Sequence, residues 1–163
     1  MATPFSVPIN AFLKRIEKDR DFFNYFTLDD EDSMNLAIQR AENFLMEAIQ
    51  RVMMECQPQV DFTDYDEETR EFNFDWTPQE KILIPSLMYE AYLNRDMAYL
   101  KTMNVNFTAT DFRVFDPSNA RDTYMDMVKY VHSQNEVLMD IYRNTDRLSG
   151  AYKTINFGLY DET

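Results

Sequence analysis

TPQEKILIPSLMYEAYLNRDMAYL, at positions 77–100, carries the strongest helix signal in the chain. Thr77 stands at a helix N-cap, Pro78 takes the first helical position, and Glu80 takes the third, from which its carboxylate can reach back to the cap. The apolar residues that follow recur at helical spacing, so the stretch predicts a helix from Pro78 to about Met103. Its inward positions are predicted to be Ile82, Leu83, Leu87, Met88, Ala91, Tyr92 and Leu100.

Three further helices are predicted around this one. The first runs from about Ile9 to Phe26, and the second runs from Met34 to about Cys56, with Ser33 as its N-cap and the dipeptide 57–58 as its end. The last begins at Asp116-Pro117 and continues to about Leu148, where Ser149-Gly150 closes it. The predicted fold class is therefore all-α. It is a bundle of about four helices in a single domain, residues 1–150, followed by an extended C-terminal tail, residues 151–163.

Composition excludes several classes of protein. The chain has 163 residues, and 45% of them are hydrophobic. Its formal net charge of −13 repels phosphate, which argues against binding to the phosphate backbone of a nucleic acid. Only two glycines occur, so a glycine-rich phosphate loop is excluded, as is a fold rich in tight hairpins. No run of eighteen apolar residues occurs, so no membrane partner is expected.

Residues 59–76 differ from the rest because carboxylates alternate with aromatic residues. We interpret them as an extended acidic arm, either an ordered loop or a small β-arm. Its aromatic residues have two open interpretations: they fold back over the bundle as core, or they contact a neighbouring subunit. The second hypothesis gives a candidate subunit interface at Phe62, Tyr65, Phe72, Phe74, Trp76, Tyr152, Ile155, Phe157, Leu159 and Tyr160. It is favoured for the tail, since chain ends seldom build a core.

The negative charge is concentrated in two stretches. Residues 29–32 carry −4 and residues 61–75 carry −6. Asp64, Asp66, Glu67 and Glu68 are therefore singled out as a candidate functional site, whose plainer interpretation is a solvated acidic surface. A calcium loop beginning at Asp64 is disfavoured because Thr69 stands where the sharp turn needs glycine.

No catalytic or metal-binding constellation is evident. The single histidine, His132, cannot complete a di-iron or zinc site, and Cys56 continues an apolar stripe, so a Cys–His dyad is disfavoured. The sequence therefore predicts no catalytic residues, no metal site, no cofactor and no enzymatic activity.

The second half of the chain, from Trp76 to about Asn144, resembles the head-to-tail connector (neck or adaptor) proteins of tailed bacteriophages. The similarity lies in the capped helix TPQEKILIPSLMYEAYLNRDMAYL, the loop NFTATDFRVF, and the long helix SNARDTYMDMVKYVHSQNEVLMDIYRN. The upstream helix LAIQRAENFLMEAIQRVM fits the same small helical pattern. The acidic arm departs from the shorter pattern of the family.

This resemblance implies a virion structural protein that forms a ring of identical subunits, usually twelve, between capsid and tail. The implied partners are other copies of the chain, the portal protein and other neck or tail proteins, with double-stranded DNA passing through the ring without specific binding. The implied location is the virion neck, and the host cytoplasm during assembly. The resemblance further implies that the aromatic residues of the arm and tail reach a neighbouring subunit or the portal, and that Asp64, Asp66, Glu67 and Glu68 line the channel unless they form a solvated surface. The alternative from another class is an acidic helical regulatory module that binds a basic partner protein with strong salt dependence.

Overall fold

The computed structural model describes residues 2–23, 29–106 and 117–154. Long helices dominate this part of the chain, and a small three-stranded sheet accompanies them, so the fold is mostly helical, whereas the sequence predicted it to be all-α. In chain order the elements are β1 (Thr3–Pro4), α1 (Ser6–Arg15), α2 (Arg20–Phe23), α3 (Asp30–Cys56), β2 (Tyr65–Asp66), β3 (Glu71–Phe72), α4 (Pro78–Asn106) and α5 (Pro117–Asn144).

The predicted cap of α4 is present. The Thr77 amide donates to Glu80 Oε2 at 2.7 Å, and the Glu80 amide donates to Thr77 Oγ1 at 3.3 Å, so each residue satisfies a backbone donor of the other. Leu83, Leu87 and Met88 are buried as predicted, but Ile82 is 56% exposed, since it points about 100° away from Leu83 around the helix.

Two helix starts differ from the prediction. The first predicted helix is divided into two: α1 begins earlier than predicted, at Ser6, and ends at Arg15, and α2 follows at Arg20. The predicted end of the first helix, Phe26, lies outside the described residues. Helix α3 begins at Asp30, and its N-cap is Asp29 instead of Ser33: Asp29 Oδ1 accepts from the Asp32 amide at 2.8 Å. Acidic residues in a first turn are stabilised by the helix dipole, so the acidic stretch 29–32 starts the helix earlier than predicted.

Helix α5 ends four residues before the predicted end, because Asp146 forms a turn. Its Oδ1 accepts from the amides of Leu148 and Ser149 and from Ser149 Oγ, at 3.2, 2.8 and 2.7 Å. The hydrogen bonds from Ser149, followed by one from Gln59, lower the pKa of Asp146 to about 2. Gly150 adopts the predicted left-handed conformation, with φ of 67°, but it closes this turn and not the helix.

The acidic arm folds onto the bundle. Strand β3 is central in the sheet and pairs antiparallel with β1 and β2, so that Phe72 lies opposite Thr3 on one side and Tyr65 on the other. Phe72 packs against the Trp76 ring at 4.7 Å between centroids.

This packing decides between the two interpretations of the arm's aromatic residues. Phe62, Phe72 and Trp76 are buried in the core of their own chain, and Tyr65 and Phe74 are half-buried against it. The assignment of Phe62, Phe72 and Trp76 to a subunit interface is therefore corrected, because the alternative in which the arm folds back as core describes them. Tyr65 and Phe74 also pack on the core but keep an exposed part, so their place at an interface stays a prediction.

The core lies where α3 and α4 pack against each other and against α1 and α5. Between these helices, the rings of Phe12, Phe44 and Tyr92 meet with centroids 5.6–6.1 Å apart. This arrangement brings inward-facing polar residues of α3, α4 and α5 together.

Candidate functional site

A buried carboxylate, Glu90 of α4, lies between α3 and α5. It is 3% exposed, and all of its recorded partners are side chains of these two helices. Arg51 Nη1 lies 2.8 Å from Oε2, Asn135 Nδ2 donates to the same oxygen at 2.6 Å, and His132 Nδ1 lies 2.7 Å from Oε1. A carboxylate can only accept here, so the Nδ1 of His132 carries the proton.

These partners keep Glu90 ionised. Burial alone raises the pKa of a carboxyl group, but the hydrogen bonds from Asn135 and His132 and the charge of Arg51 outweigh burial and lower the pKa of Glu90. Both carboxylate oxygens have partners, Oε2 in Arg51 and Asn135 and Oε1 in His132. Glu90 therefore joins three helices and is not poised as a general base.

The hydrogen-bonded chain continues to α1 through Asn135. Ser86 Oγ donates to Asn135 Oδ1 at 2.7 Å and accepts from Arg15 Nη1 at 3.1 Å, while Asn135 Nδ2 also donates to the Ser86 carbonyl at 3.1 Å. Every polar atom of the Asn135 amide thus has a partner, although the residue is fully buried. Such satisfied buried networks fix the register of packed helices.

No pattern in the sequence predicted this network. Arg51, Glu90 and Asn135 are far apart in the chain, so no local spacing links them. One signal was available: Glu90 follows Leu87 and Met88 on the inward side of a predicted helix, where a charged residue requires a partner.

Cys56 and His132 are not brought together as a catalytic pair. The thiol is buried and lies 3.8 Å from the Met139 carbonyl, and burial, its largest influence, raises the pKa of Cys56 to about 11. His132 is engaged with Glu90. The thiol is therefore protonated at neutral pH and is not a nucleophile.

A groove of about 460 Å³ lies beside the Glu90 network, lined in part by Glu47, Arg51 and Arg95. Both arginines are engaged with the protein itself: Arg95 approaches Glu47 at 3.4 Å and covers the Phe44 ring at 4.4 Å, and Arg51 binds Glu90. The groove therefore offers no uncommitted cation to an anionic ligand.

The carboxylates of the acidic arm do not converge. Asp64, Asp66, Glu67 and Glu68 are all exposed, as expected of either a channel lining or a solvated surface. Asp64 Oδ1 accepts from Asn73 Nδ2 at 2.7 Å, and Asp66 Oδ1 accepts from the Glu68 amide at 2.7 Å, so these two stabilise local turns. Among residues 2–23, 29–106 and 117–154, no group of three or more His, Cys, Asp or Glu side chains is arranged to hold a metal ion.

One surface of α5 is apolar although it is exposed. Met127, Tyr130, Val137 and Ile141 are all exposed, and Gln134, also exposed, completes a spacing of three and four residues. Tyr130 is 65% and Val137 is 54% exposed. These five residues are called the α5 stripe below. Such spacing places them on one side of the helix, as in a coiled-coil seam.

The start of the tail is partly described. Tyr152 is 71% exposed, and only its backbone bridges to Thr145. The other predicted interface residues of the tail, Ile155, Phe157, Leu159 and Tyr160, lie outside the described residues.

Comparisons with protein-family models, with curated proteins and with solved structures find no match. In the described ranges of the chain, none of the helices combines the length and the apolar character that crossing a bilayer requires.

Proposed function

We propose that this protein is a structural subunit of the neck of a tailed bacteriophage, a connector that forms a ring between portal and tail. The observation that carries the proposal is the α5 stripe. Apolar side chains lie in one line on the surface of a chain whose net charge is −13, and such lines mark contacts with other proteins.

The inward polar groups support an assembly role over a catalytic one. Glu90, Asn135 and Ser86 are committed to contacts between helices, and the only thiol, Cys56, is buried and protonated. A subunit whose polar interior holds helices in register suits a part that must keep its shape within a larger particle.

The order of elements also supports the proposal. The capped helix α4 and the long helix α5, which carry the resemblance to connector proteins, pack directly against each other. A ring of identical subunits needs contact surfaces that are not self-complementary, so that each subunit binds the next. In this proposal DNA passes through the ring without specific binding, because an acidic subunit supplies few cations to phosphate.

Electron microscopy and native mass spectrometry of the purified full chain test the proposal. Closed rings of one copy number, alone or with the portal protein, are the expected result, and antibodies against the chain should label particles between head and tail. A subunit that stays monomeric with and without portal, and is absent from virions, would overturn it.

One observation favours a second function, the binding of a basic partner protein. Four exposed carboxylates lie within five residues of the acidic arm, at Asp64, Asp66, Glu67 and Glu68. A partner held by them should dissociate as salt is raised, whereas a ring whose contacts are mainly apolar should persist.

A further inference from the structure

The α5 stripe occupies a narrow arc of its helix. At about 100° per residue, its five members fall within roughly 80° of one another. They extend over fifteen residues, from Met127 to Ile141, or about 21 Å of helix. This strip is too small for a stable contact between two copies by itself, because such a contact needs about 800 Å² from each partner and 20–30 residues a side. The size of the α5 stripe instead suits the binding of a short peptide.

The opposite flank of α5 faces α3. Glu136 accepts from Arg51 at 2.7 Å, and the Met139 carbonyl lies 3.8 Å from the Cys56 sulfur. Around the axis of α5, the mean direction of Glu136, Met139 and Arg143 is roughly half a turn from that of the stripe. The two flanks of α5 are therefore separate surfaces.

Lys153, next to the last described residue, lies on the α3 flank of α5. The Lys153 amide donates to the Asn144 carbonyl at 2.7 Å, and Lys153 Nζ donates to the Arg143 carbonyl at 2.8 Å. Lys153 also lines a small cleft together with Cys56 and Gln57. The tail is thus anchored on one flank of α5 while the exposed apolar strip lies on the other.

The next residues, INFGLY at 155–160, have apolar side chains at alternate positions. In an extended chain, Ile155, Phe157 and Leu159 share one face. Six extended residues span about 20 Å, which matches the length of the stripe.

We propose that the tail segment 155–160 of one copy packs its Ile155, Phe157 and Leu159 face on the α5 stripe of the neighbouring copy. This inference rests on the proposed ring. Because donor and receiver lie on opposite flanks of the same helix, each copy gives its tail to one neighbour and receives a tail from the other. A head-to-tail contact of this kind closes into a ring when its rotation is right. Docking on its own helix would require the tail to cross the charged outer face between the flanks, which carries Lys129 and Asp140.

Disulfide trapping between two differently tagged full-length copies tests the docking. One copy carries Val137→Cys and the other carries Leu159→Cys; native Cys56 is buried and stays unreactive. Mild oxidation should form a disulfide between Val137→Cys of one copy and Leu159→Cys of the other, which gives a product that carries both tags. A control copy with Lys129→Cys, which is exposed on the outer face, should give little product. Equal products from both positions would overturn the inference. So would a double variant, Val137→Cys with Leu159→Cys in one chain, that closes only within itself.

A second measurement separates this inference from the ring proposal. Truncation after Thr154 keeps the bonds of Lys153, so the denaturant midpoint should not change, while self-association should weaken about tenfold or more. Val137→Asp should weaken self-association likewise, and Lys129→Asp should not. Rings that survive both changes would overturn the docking and leave the ring proposal standing. Trapped pairs without rings would support the docking and refute the ring.

Discussion

Arg147, in the turn after α5, forms a two-pronged ion pair with Glu80 at the start of α4. Its Nε lies 2.7 Å from Oε1 and its Nη2 lies 3.0 Å from Oε2. Glu80 is completely buried, and Tyr142 also donates to Oε1 at 2.8 Å. Arg147 Nη2 reaches the Asp75 carbonyl as well, so the arm, α4 and the end of α5 meet at one carboxylate.

Arg147→Leu should lower the free energy of unfolding by about 3 kcal/mol, because it leaves a buried carboxylate without its cation. Equilibrium denaturation measures the loss. The matched control is Arg143→Leu, whose exposed pair with Asp140 is screened by solvent and should contribute little to stability. Equal midpoints for both variants would contradict the structural role of Arg147.

Thr77→Ala should cost about 1 kcal/mol of stability, because the Glu80 amide loses its cap. Thr69→Ala is a suitable control, since Thr69 is exposed and only its backbone amide is bonded, to Asp66. A Thr77→Ala midpoint equal to that of the control would show that the cap adds nothing.

The site around Glu80 shows what sequence reasoning can and cannot reach. Thr77 and Glu80 are three residues apart, so their mutual hydrogen bonds follow from local spacing and were predicted. Arg147 joins them from the other end of the chain. Its position depends on the turn that Asp146 builds, and the sequence instead predicted that the helix continued to Leu148.

Glu90→Gln should destabilise the protein by about 3 kcal/mol at neutral pH, because Arg51 then loses its buried counter-charge. Glu55→Gln removes an exposed partner of the same arginine and should cost less than about 0.5 kcal/mol. Thermal or chemical denaturation of the two variants measures both losses of stability, and equal losses would contradict the role given to Glu90.

Stability should also fall in acid through Glu90. Its pKa is lower in the folded protein than its ordinary value of 4.5, so the unfolded chain takes up the proton first. The stabilisation is complete above pH 4.5 and is lost as the pH falls through the folded pKa. The acid-induced loss should be smaller in Glu90→Gln than in the native protein; identical pH profiles would exclude a contribution from Glu90.

Cys56 should react slowly with a thiol reagent in the folded protein. Burial raises its pKa to about 11, so the thiolate is scarce at neutral pH, and the side chain is inaccessible. The rate of labelling should increase with denaturant as the chain unfolds. The exposed thiol of Val137→Cys provides the comparison, and fast labelling of native Cys56 would contradict the expected burial.

Neutralising the acidic arm tests its place in the ring. Asp64→Asn, Asp66→Asn, Glu67→Gln and Glu68→Gln together remove four charges, and the two Asn side chains retain an oxygen acceptor for the local turns. If the arm lines the channel, particles should assemble normally but package or eject DNA abnormally. The repulsion acts within a Debye length of about 8–10 Å. Normal DNA transit, with only lower solubility of the free protein, would assign these carboxylates to the outer surface.

The arm also illustrates a limit of local patterns. Alternating aromatic residues predict one apolar face but not what covers it. The apolar face at Phe72 is covered by Phe5, whose ring centroid lies 4.7 Å away although the residue is near the beginning of the sequence. The local pattern could not distinguish a core position from an interface position for Phe72, and only the tertiary fold shows that it belongs to the core.

The pairing of β1 with β3 imposes an order on biosynthesis. Thr3 cannot meet Phe72, nor can its hydroxyl accept from the Trp76 amide at 2.9 Å, until some seventy further residues have been translated. At about 5–20 residues per second this delay lasts roughly 4–14 s. Helix α1 also waits for its partner α4, so Phe12 can meet Phe44 of α3 during this interval but lacks its contact with Tyr92. The core formed by α1 and α3 is therefore incomplete until α4 emerges, and we expect the nascent chain to be most accessible to a ribosome-associated chaperone before that point.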